Sequence, residues 1–413
     1  MSYFFLFIEV LVPVFALYLI WQKGDLSVVY LPFFMFCGDV IVRSFPAFFE
    51  YLLFSALVLY YIYHNPAFAK NNIFAIILTV YFFLLLPFSK DLVALRMYFF
   101  PAIWLFLLIP ILADIFKKYP RPWIFNELSK SALLILILFI VNSILSTLFN
   151  FNPRQQYGIT SGILYGDLSL DYFNVLPFAA FVVFRKGVKD KNFLYIIIYL
   201  TAVFLVLLTF RRSVMGLCVL GTLVVLIELL EFKRIGDLLV YGVIICLVTA
   251  FVIYQTGFLD LFWQRYEMRG LDNRPLVQEG RMMEFGLLYR DLFVYYDYDP
   301  WFGYELFASH GNYGKNLFGD RSLHTDFASI VHSSGLIGLL LYLSMVFVAF
   351  ASVWKRTFSR DDYLQLFFIC IAFFVFAMSG RWYTISSTVM MYCLLYLPLG
   401  KYPKKRVPVT SLK

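Results

Sequence analysis

Four arginines and a histidine stand where side chains of their type are costly and chemically useful. Arg211 and Arg212 occupy Leu208-Thr209-Phe210-Arg211-Arg212-Ser213, between two apolar runs, and Arg381 occupies Ser379-Gly380-Arg381-Trp382-Tyr383. Arg281 opens a stretch, 281–296, whose apolar residues Met282, Phe285, Leu288, Leu292 and Tyr296 recur at helical spacing. A guanidinium close to hydrocarbon generally lines a cavity or pairs with an anion, and its planar fork suits phosphate. Several such groups converging on one cavity would suit a diphosphate. Taken singly, Arg381 reads rather as an interfacial arginine snorkelling to lipid head groups, whereas the adjacent Arg211 and Arg212 are too costly a pair for that reading to be preferred. His324, in Leu323-His324-Thr325-Asp326-Phe327, precedes a long apolar run. An imidazole there can serve as a base or hydrogen-bond a sugar, and Asp326 stands two residues on. Asp297 and Asp299 precede Pro300-Trp301-Phe302-Gly303-Tyr304. Those acids could bind sugar hydroxyls and Trp301 could stack on a sugar ring, although the same residues read as a Pro-Gly turn with solvated acids. His332 is a weaker candidate, and His310 and His64 have no supporting context. No His, Asp or Glu grouping has metal-ligand spacing, and no phosphate loop or nucleotide fingerprint is present. Neither a metal nor another cofactor is expected.

The elements that must position these residues follow from composition. Of 413 residues 62% are apolar and 15% are charged, against about 25% charged in an average soluble protein. That excludes a soluble enzyme, a disordered chain and a secreted disulfide scaffold. The continuous apolar runs do not alternate, which disfavours a membrane β-barrel. The expected fold is an all-α polytopic membrane protein. Thirteen runs are long enough to be considered as spans, from 3–20 to 385–399. The run 26–42 carries Asp25 and Asp39 at its ends, so it is expected to lie at the interface, leaving about 12 transmembrane helices (range 11–13). Glu9 and Glu50 lie inside spans and should face the bundle. The cysteines, Cys37, Cys218, Cys246, Cys370 and Cys393, lie in apolar runs without ligand spacing and read as small buried residues. The segment 185–192 reads as a loop.

The net charge of +8 does not point to nucleic acid. The loops 64–72, 117–130, 185–192, 231–236 and 354–362 and the tail from Leu399 hold about 19 of the 34 basic residues, as expected for one cytoplasmic side. The expected organisation is an N-terminal helix bundle over 1–254, a long loop over 255–328 on the opposite, outer side, C-terminal helices over 329–399 and a cytoplasmic tail over 400–413. Within the loop, 281–296 is expected to form an amphipathic helix on the membrane face, and loops of this length are usually functional. Gly335 and Gly338, in Ser333-Ser334-Gly335-Leu336-Ile337-Gly338, have the spacing that permits close helix contact.

The order of these motifs resembles that of the O-antigen polymerase and O-antigen ligase superfamily of bacterial membrane glycosyltransferases. That family places a histidine near the loop end, a glycine eleven residues on and another three further; here these are His324, Gly335 and Gly338. Its Ser-Arg-Gly/Ser element is similar to Arg211-Arg212-Ser213, with Arg212 in the arginine position and Arg211 replacing the serine. Its loop arginine matches Arg281, followed about nineteen residues later by Pro300 and then Gly303. The usual His-Asn is His324-Thr325 here. The match covers about 208–345, and the rest of the chain only by topology.

The resemblance implies a bacterial inner-membrane enzyme acting at the periplasmic face on undecaprenyl-diphosphate-linked oligosaccharide. It implies a metal-independent inverting transfer to an acceptor glycan, with Arg212, Arg281 and Arg211 on the diphosphate and His324 at the acceptor hydroxyl. Arg381, Asp326, Trp301 and Asp299 would then contact substrate. Other partners are the bilayer and a chain-length regulator protein; nucleic acid is not expected. A polymerase of lipid-linked repeat units for O-antigen, capsule or exopolysaccharide is preferred. The alternatives are a ligase acting on lipid A core and, in a different class, a flippase. A flippase would need charges along both halves of a central pathway and repeat symmetry, whereas the unexplained charges here gather on the outer side.

Overall fold

The computed structural model describes residues 2–149 except 42, then 155–156, 159–160, 172–209, 211–229, isolated positions between 236 and 267, 280–379 except 318 and 320, and 384–401. Arg381, Cys246 and the tail beyond 401 lie outside them. The helices, in chain order, are α1 (Ser2–Lys23), α2 (Leu31–Val40), α3 (Ala47–His64), α4 (Ile73–Leu85), α5 (Leu92–Lys118), α6 (Arg121–Leu148), α7 (Leu176–Asp190), α8 (Phe193–Leu208), α9 (Arg212–Glu228), α10 (Gly280–Phe293), α11 (Asp326–Trp354), α12 (Arg360–Ala377) and α13 (Ile385–Leu395). A two-residue ribbon, β1 (Gln155–Gln156) with β2 (Ile159–Thr160), is the extended pairing among the described residues. Among the described residues, five helical stretches are long and apolar enough to cross a membrane: Ser2–Val40, Ala47–His64, Leu95–Lys118, Arg121–Leu148 and Asp326–Trp354. This is the build of a polytopic helical membrane protein.

The bundle is centred on α7, which packs on α6, α8, α9 and α13, while α13 also packs on α2, α5 and α12. One apolar core runs through all of these helices. A second, separate core lies in the long loop, where Leu288 and Leu292 of α10 meet Tyr313, Leu323, Ala328 and Val331. The helix α11 links the two, packing on α4 in the bundle and on α10 in the loop.

Three segments differ from the sequence-based expectation. The run 26–42 is not interfacial: Leu26, Val28, Val29, Leu31 and Phe36 are completely enclosed. Asp25, at its start, meets Lys118 at the end of α5 (3.2 Å), while Asp39 near its end accepts from Ser386 at the start of α13 (2.8 Å). Those partners stand at opposite ends of α13, because the chain just past its end returns to α5 through Lys401 and Tyr119 (3.0 Å). The segment therefore passes through the bundle interior, its acids satisfied by non-local partners.

The expected loop 117–130 is mostly the first turns of α6. Pro122 sits in the first turn, where its missing N–H is not needed, and Glu127 gathers Lys130 (2.8 Å), the Tyr30 hydroxyl (2.8 Å) and Lys23 (3.4 Å). The expected loop 185–192 likewise continues α7 to Asp190. Lys186 pairs with Asp190 one turn on (2.6 Å). Arg185 is buried and donates to Glu228 of α9 (2.9 Å) and to Gln365 of α12. Fully paired, these charges allow the helices to continue past the apolar runs.

Candidate active site on the long loop

The buried face of α10 carries Glu284, Leu288, Asp291 and Leu292, positions one and two turns apart. Two carboxylates thus lie in an otherwise apolar stripe, and each holds a piece of the loop. Asp291 Oδ2 accepts the Gly314 N–H (2.6 Å) and the Tyr298 hydroxyl (3.2 Å). Burial raises the Asp291 carboxyl above the usual carboxylate range. Burial, then the Asp291 charge, pushes the Tyr298 phenol upward, so it stays a donor.

Glu284, fully enclosed, faces the segment that precedes α11. Its Oε2 accepts the His324 backbone N–H (2.8 Å), and its Oε1 lies 3.0 Å from both His324 Nδ1 and Arg321 Nη2. Arg321 Nε is 3.1 Å from the same Nδ1. The imidazole can donate from Nδ1 to Glu284 or accept there from Arg321, but not both. In the tautomer that donates to Glu284 the lone pair stands on Nε2, the state of a base. The His324 side chain is 35% exposed, so the ring reaches solvent while its anchoring carboxylate does not. Tyr313, nearby, is pushed up to about 12 by burial and by the Glu284 charge.

The 299–304 turn is locked to α11 at a break. Gly335 has φ +66° and ψ −168°, which interrupts the helix. The Leu336 N–H donates to Pro300 O (2.9 Å) and the Ile337 N–H to Trp301 O (3.3 Å), while His332 O accepts from Tyr304 N (2.7 Å). The loop backbone therefore satisfies groups that a continuous helix would satisfy itself. A side chain at Gly303 would stand 2.6 Å from His332 O, and one at Gly335 would stand 2.0 Å from Trp301 O. Gly335 is thus a docking point for the loop and does not mediate the helix contact its spacing suggested. Gly338 does face another helix, with Tyr81 of α4 at 3.5 Å from where a Cβ would stand.

The expected site residues fall into groups. Arg281 begins α10, one turn before Glu284 and on the same side of the helix, so it shares the loop with His324. Asp299 holds its own turn, accepting from the Trp301 N–H (2.7 Å) and Phe302 N–H (3.1 Å). The Trp301 ring is exposed, as stacking would require. Asp326 is buried against the bundle in a small cavity with Tyr342 and Thr388 that His324 does not line. Arg211 and Arg212 begin α9, at the positive end of the helix dipole, where cations are unfavourable unless an anion is present. Arg212 is exposed and the Arg211 guanidinium lies 5.8 Å from the Phe173 ring. Their helix packs on α7, α8 and α12, so the packing does not by itself seat them against His324. His332 is structural: buried, with Nε2 at 3.0 Å from Asn312 O and its ring against Tyr298 and Tyr304. Glu9 and Glu50 are also engaged, Glu9 with the Ser44 and Phe45 N–H groups and Glu50 with Arg43 (2.6 Å). No group of three potential ligands stands together for a metal among the described residues.

The sequence reading missed Glu284 and Arg321. Glu284 did leave a signal, because it shares helical spacing with Leu288 and Leu292, so a helix burying those leucines must bury it too. The chain matches no known protein-family model, and no curated protein is significantly similar to it.

Proposed function

We propose that the protein is a membrane glycosyltransferase that polymerises lipid-linked oligosaccharide repeat units, moving the growing glycan from a polyprenyl diphosphate to an acceptor hydroxyl. The observation that carries this reading is the Glu284–His324 pair on the loop: a buried carboxylate orients a half-buried imidazole that reaches solvent (3.0 Å), as base catalysis on a hydroxyl requires. Arg281 lies on the same helix, and Arg321 touches the pair itself. Arginines of this kind stabilise the charge that develops on a departing diphosphate. The motif residues that suggested the family, Pro300 to Gly303 and Gly335, also lie in direct backbone contact. In this reading the interior segment 24–40 is a further passage, giving thirteen in place of twelve, the loop faces the periplasm of a bacterial inner membrane, and Arg211 and Arg212 attract the lipid diphosphate at the outer end of α9.

The reaction exchanges one C–O bond for another and moves one proton. The acceptor oxygen attacks the anomeric carbon and its proton passes to His324 Nε2. The bond from that carbon to the diphosphate oxygen breaks, and the diphosphate leaves with the electron pair. The experiment is to give the purified protein a lipid-linked repeat unit, without nucleotide, and look for a ladder of longer chains. A ladder is expected. Transfer only when lipid A core is added would assign a ligase, and no transfer under either condition would overturn the reading. Arg281→Ala and Arg212→Ala should each abolish transfer while the protein remains folded and inserted.

A further inference from the structure

We infer that the acceptor sugar binds in a pocket walled by Asp91 and Glu305, beside the segment that leads to His324. The inference rests on the transferase reading above. A cavity of 380 Å³ opens between the start of α5, the 305–312 turn and the segment leading to His324, within the range of about 300–1,000 Å³ usual for small-molecule sites. Leu323, the residue before His324, lines it, and Ser309 ties the turn to that residue by accepting its N–H (3.3 Å).

Its lining has two characters. Tyr98 of α5 and Phe307 of the turn stack, with ring centroids 5.9 Å apart at 29°, and supply an apolar aromatic surface. Asp91, Glu305 and Ser322 supply oxygen atoms around it. Glu305 Oε1 accepts the Lys90 N–H and Asp91 Oδ1 the Val93 N–H (3.0 Å). These bonds fix the two carboxylates in place, and a carboxylate has about four acceptor positions, so Glu305 keeps capacity for further donors. Aromatic surface beside carboxylates matches a pyranose, which has apolar C–H faces and hydroxyl donors at its edge. The same carboxylates repel a diphosphate. The chemistry therefore divides the site: anionic leaving group toward Arg281 and Arg321, neutral polyhydroxylated acceptor toward Asp91 and Glu305, with His324 touching Arg321 on one side and following Leu323 of the pocket on the other.

The test uses the full chain in detergent, with free glucose, galactose, rhamnose and N-acetylglucosamine as probes in saturation-transfer NMR. At least one sugar should bind the wild type, and Glu305→Gln should weaken it by about tenfold or more, as loss of a charge-assisted hydrogen bond does. Ala308→Phe fills the pocket without removing any of those hydrogen bonds and should have the same effect, so a folding failure in one variant does not decide the outcome. Binding that survives both substitutions, or no binding by any of the four sugars, overturns the pocket. In the transfer assay Glu305→Gln should raise the KM for acceptor and leave that for donor unchanged. A wild type that binds sugar here but transfers nothing would overturn the transferase reading and leave the sugar pocket standing.

Discussion

Replacing Gly335 by alanine tests whether the loop is held to the bundle by the break in α11. Gly335 has φ +66° and ψ −168°, a region essentially confined to glycine, and holding another residue there costs about 1–3 kcal/mol. The new Cβ would stand 2.0 Å from Trp301 O and 2.2 Å from its carbonyl carbon. Both are backbone atoms, so no rotamer change relieves the overlap. The chain must move away, and three bonds are then at risk: Tyr304 N to His332 O, Leu336 N to Pro300 O and Ile337 N to Trp301 O. At about 1 kcal/mol each, their loss and the backbone strain together disfavour the docked loop by about 4 kcal/mol or more. That is about a thousandfold in the docking equilibrium. The helix itself need not suffer, since a straight α11 recovers its own i to i−4 bonds. The expected phenotype is therefore local. Amides of Gly303 and Tyr304 should lose protection from hydrogen exchange, proteases should cut within 296–312, and transfer should fall, with helix content and insertion unchanged. Gly286→Ala is the control: a Cβ there meets nothing within 4 Å, and removing a helical glycine should stabilise α10 by up to about 1 kcal/mol. Wild-type exchange protection in Gly335→Ala would refute the docking argument.

Three further predictions follow from the buried charged groups. Glu284→Gln keeps the shape of the site but removes the charge that orients His324, and transfer should drop by about 10²–10⁴-fold with the loop still folded; a variant with wild-type turnover would remove His324 as the base. Asp291 has a carboxyl raised above its unfolded value by burial. Its contribution to loop stability is therefore full below the ordinary carboxylate range and lost as pH rises through the raised value. Asp291→Asn should flatten that dependence and protect the loop better than wild type at neutral pH, read by hydrogen exchange at several pH values; parallel profiles would contradict it. Arg185→Ala leaves Glu228 buried with Lys189 at 3.4 Å as its remaining cation, and breaking a buried pair costs about 3–5 kcal/mol. Its Tm in detergent should fall clearly, and the added Glu228→Gln should recover part of the loss.

Where the chain is uniformly apolar, its sequence alone determines the structure. Lipid offers no hydrogen bonds, so such runs must close their own as helices, and α3, α8 and α11 lie close to their expected positions. Arg281, His324 and the Pro300–Gly303 turn could also be singled out locally, because an arginine beside hydrocarbon or a Pro-x-x-Gly turn is unusual wherever it occurs. The ends of α6 and α7 were obscured by charge. Lys186–Asp190 and Glu127–Lys130 are local helical pairs and could have been read from spacing, but Arg185 stays helical and buried only because Glu228, 43 positions away, neutralises it. Asp25 and Asp39 suggested an interfacial segment for the same reason: their partners, Lys118 and Ser386, are remote in sequence. The site depends most on such distant partners. Glu284 reaches His324 across 40 positions, and Gly335 breaks its helix because a turn more than thirty residues earlier supplies the missing bonds. Helix formation in a membrane is a local consequence of unsatisfied backbone groups. The pairing of buried charges, and the placing of a histidine against a carboxylate, depend on which segments meet, and only the tertiary structure decided that.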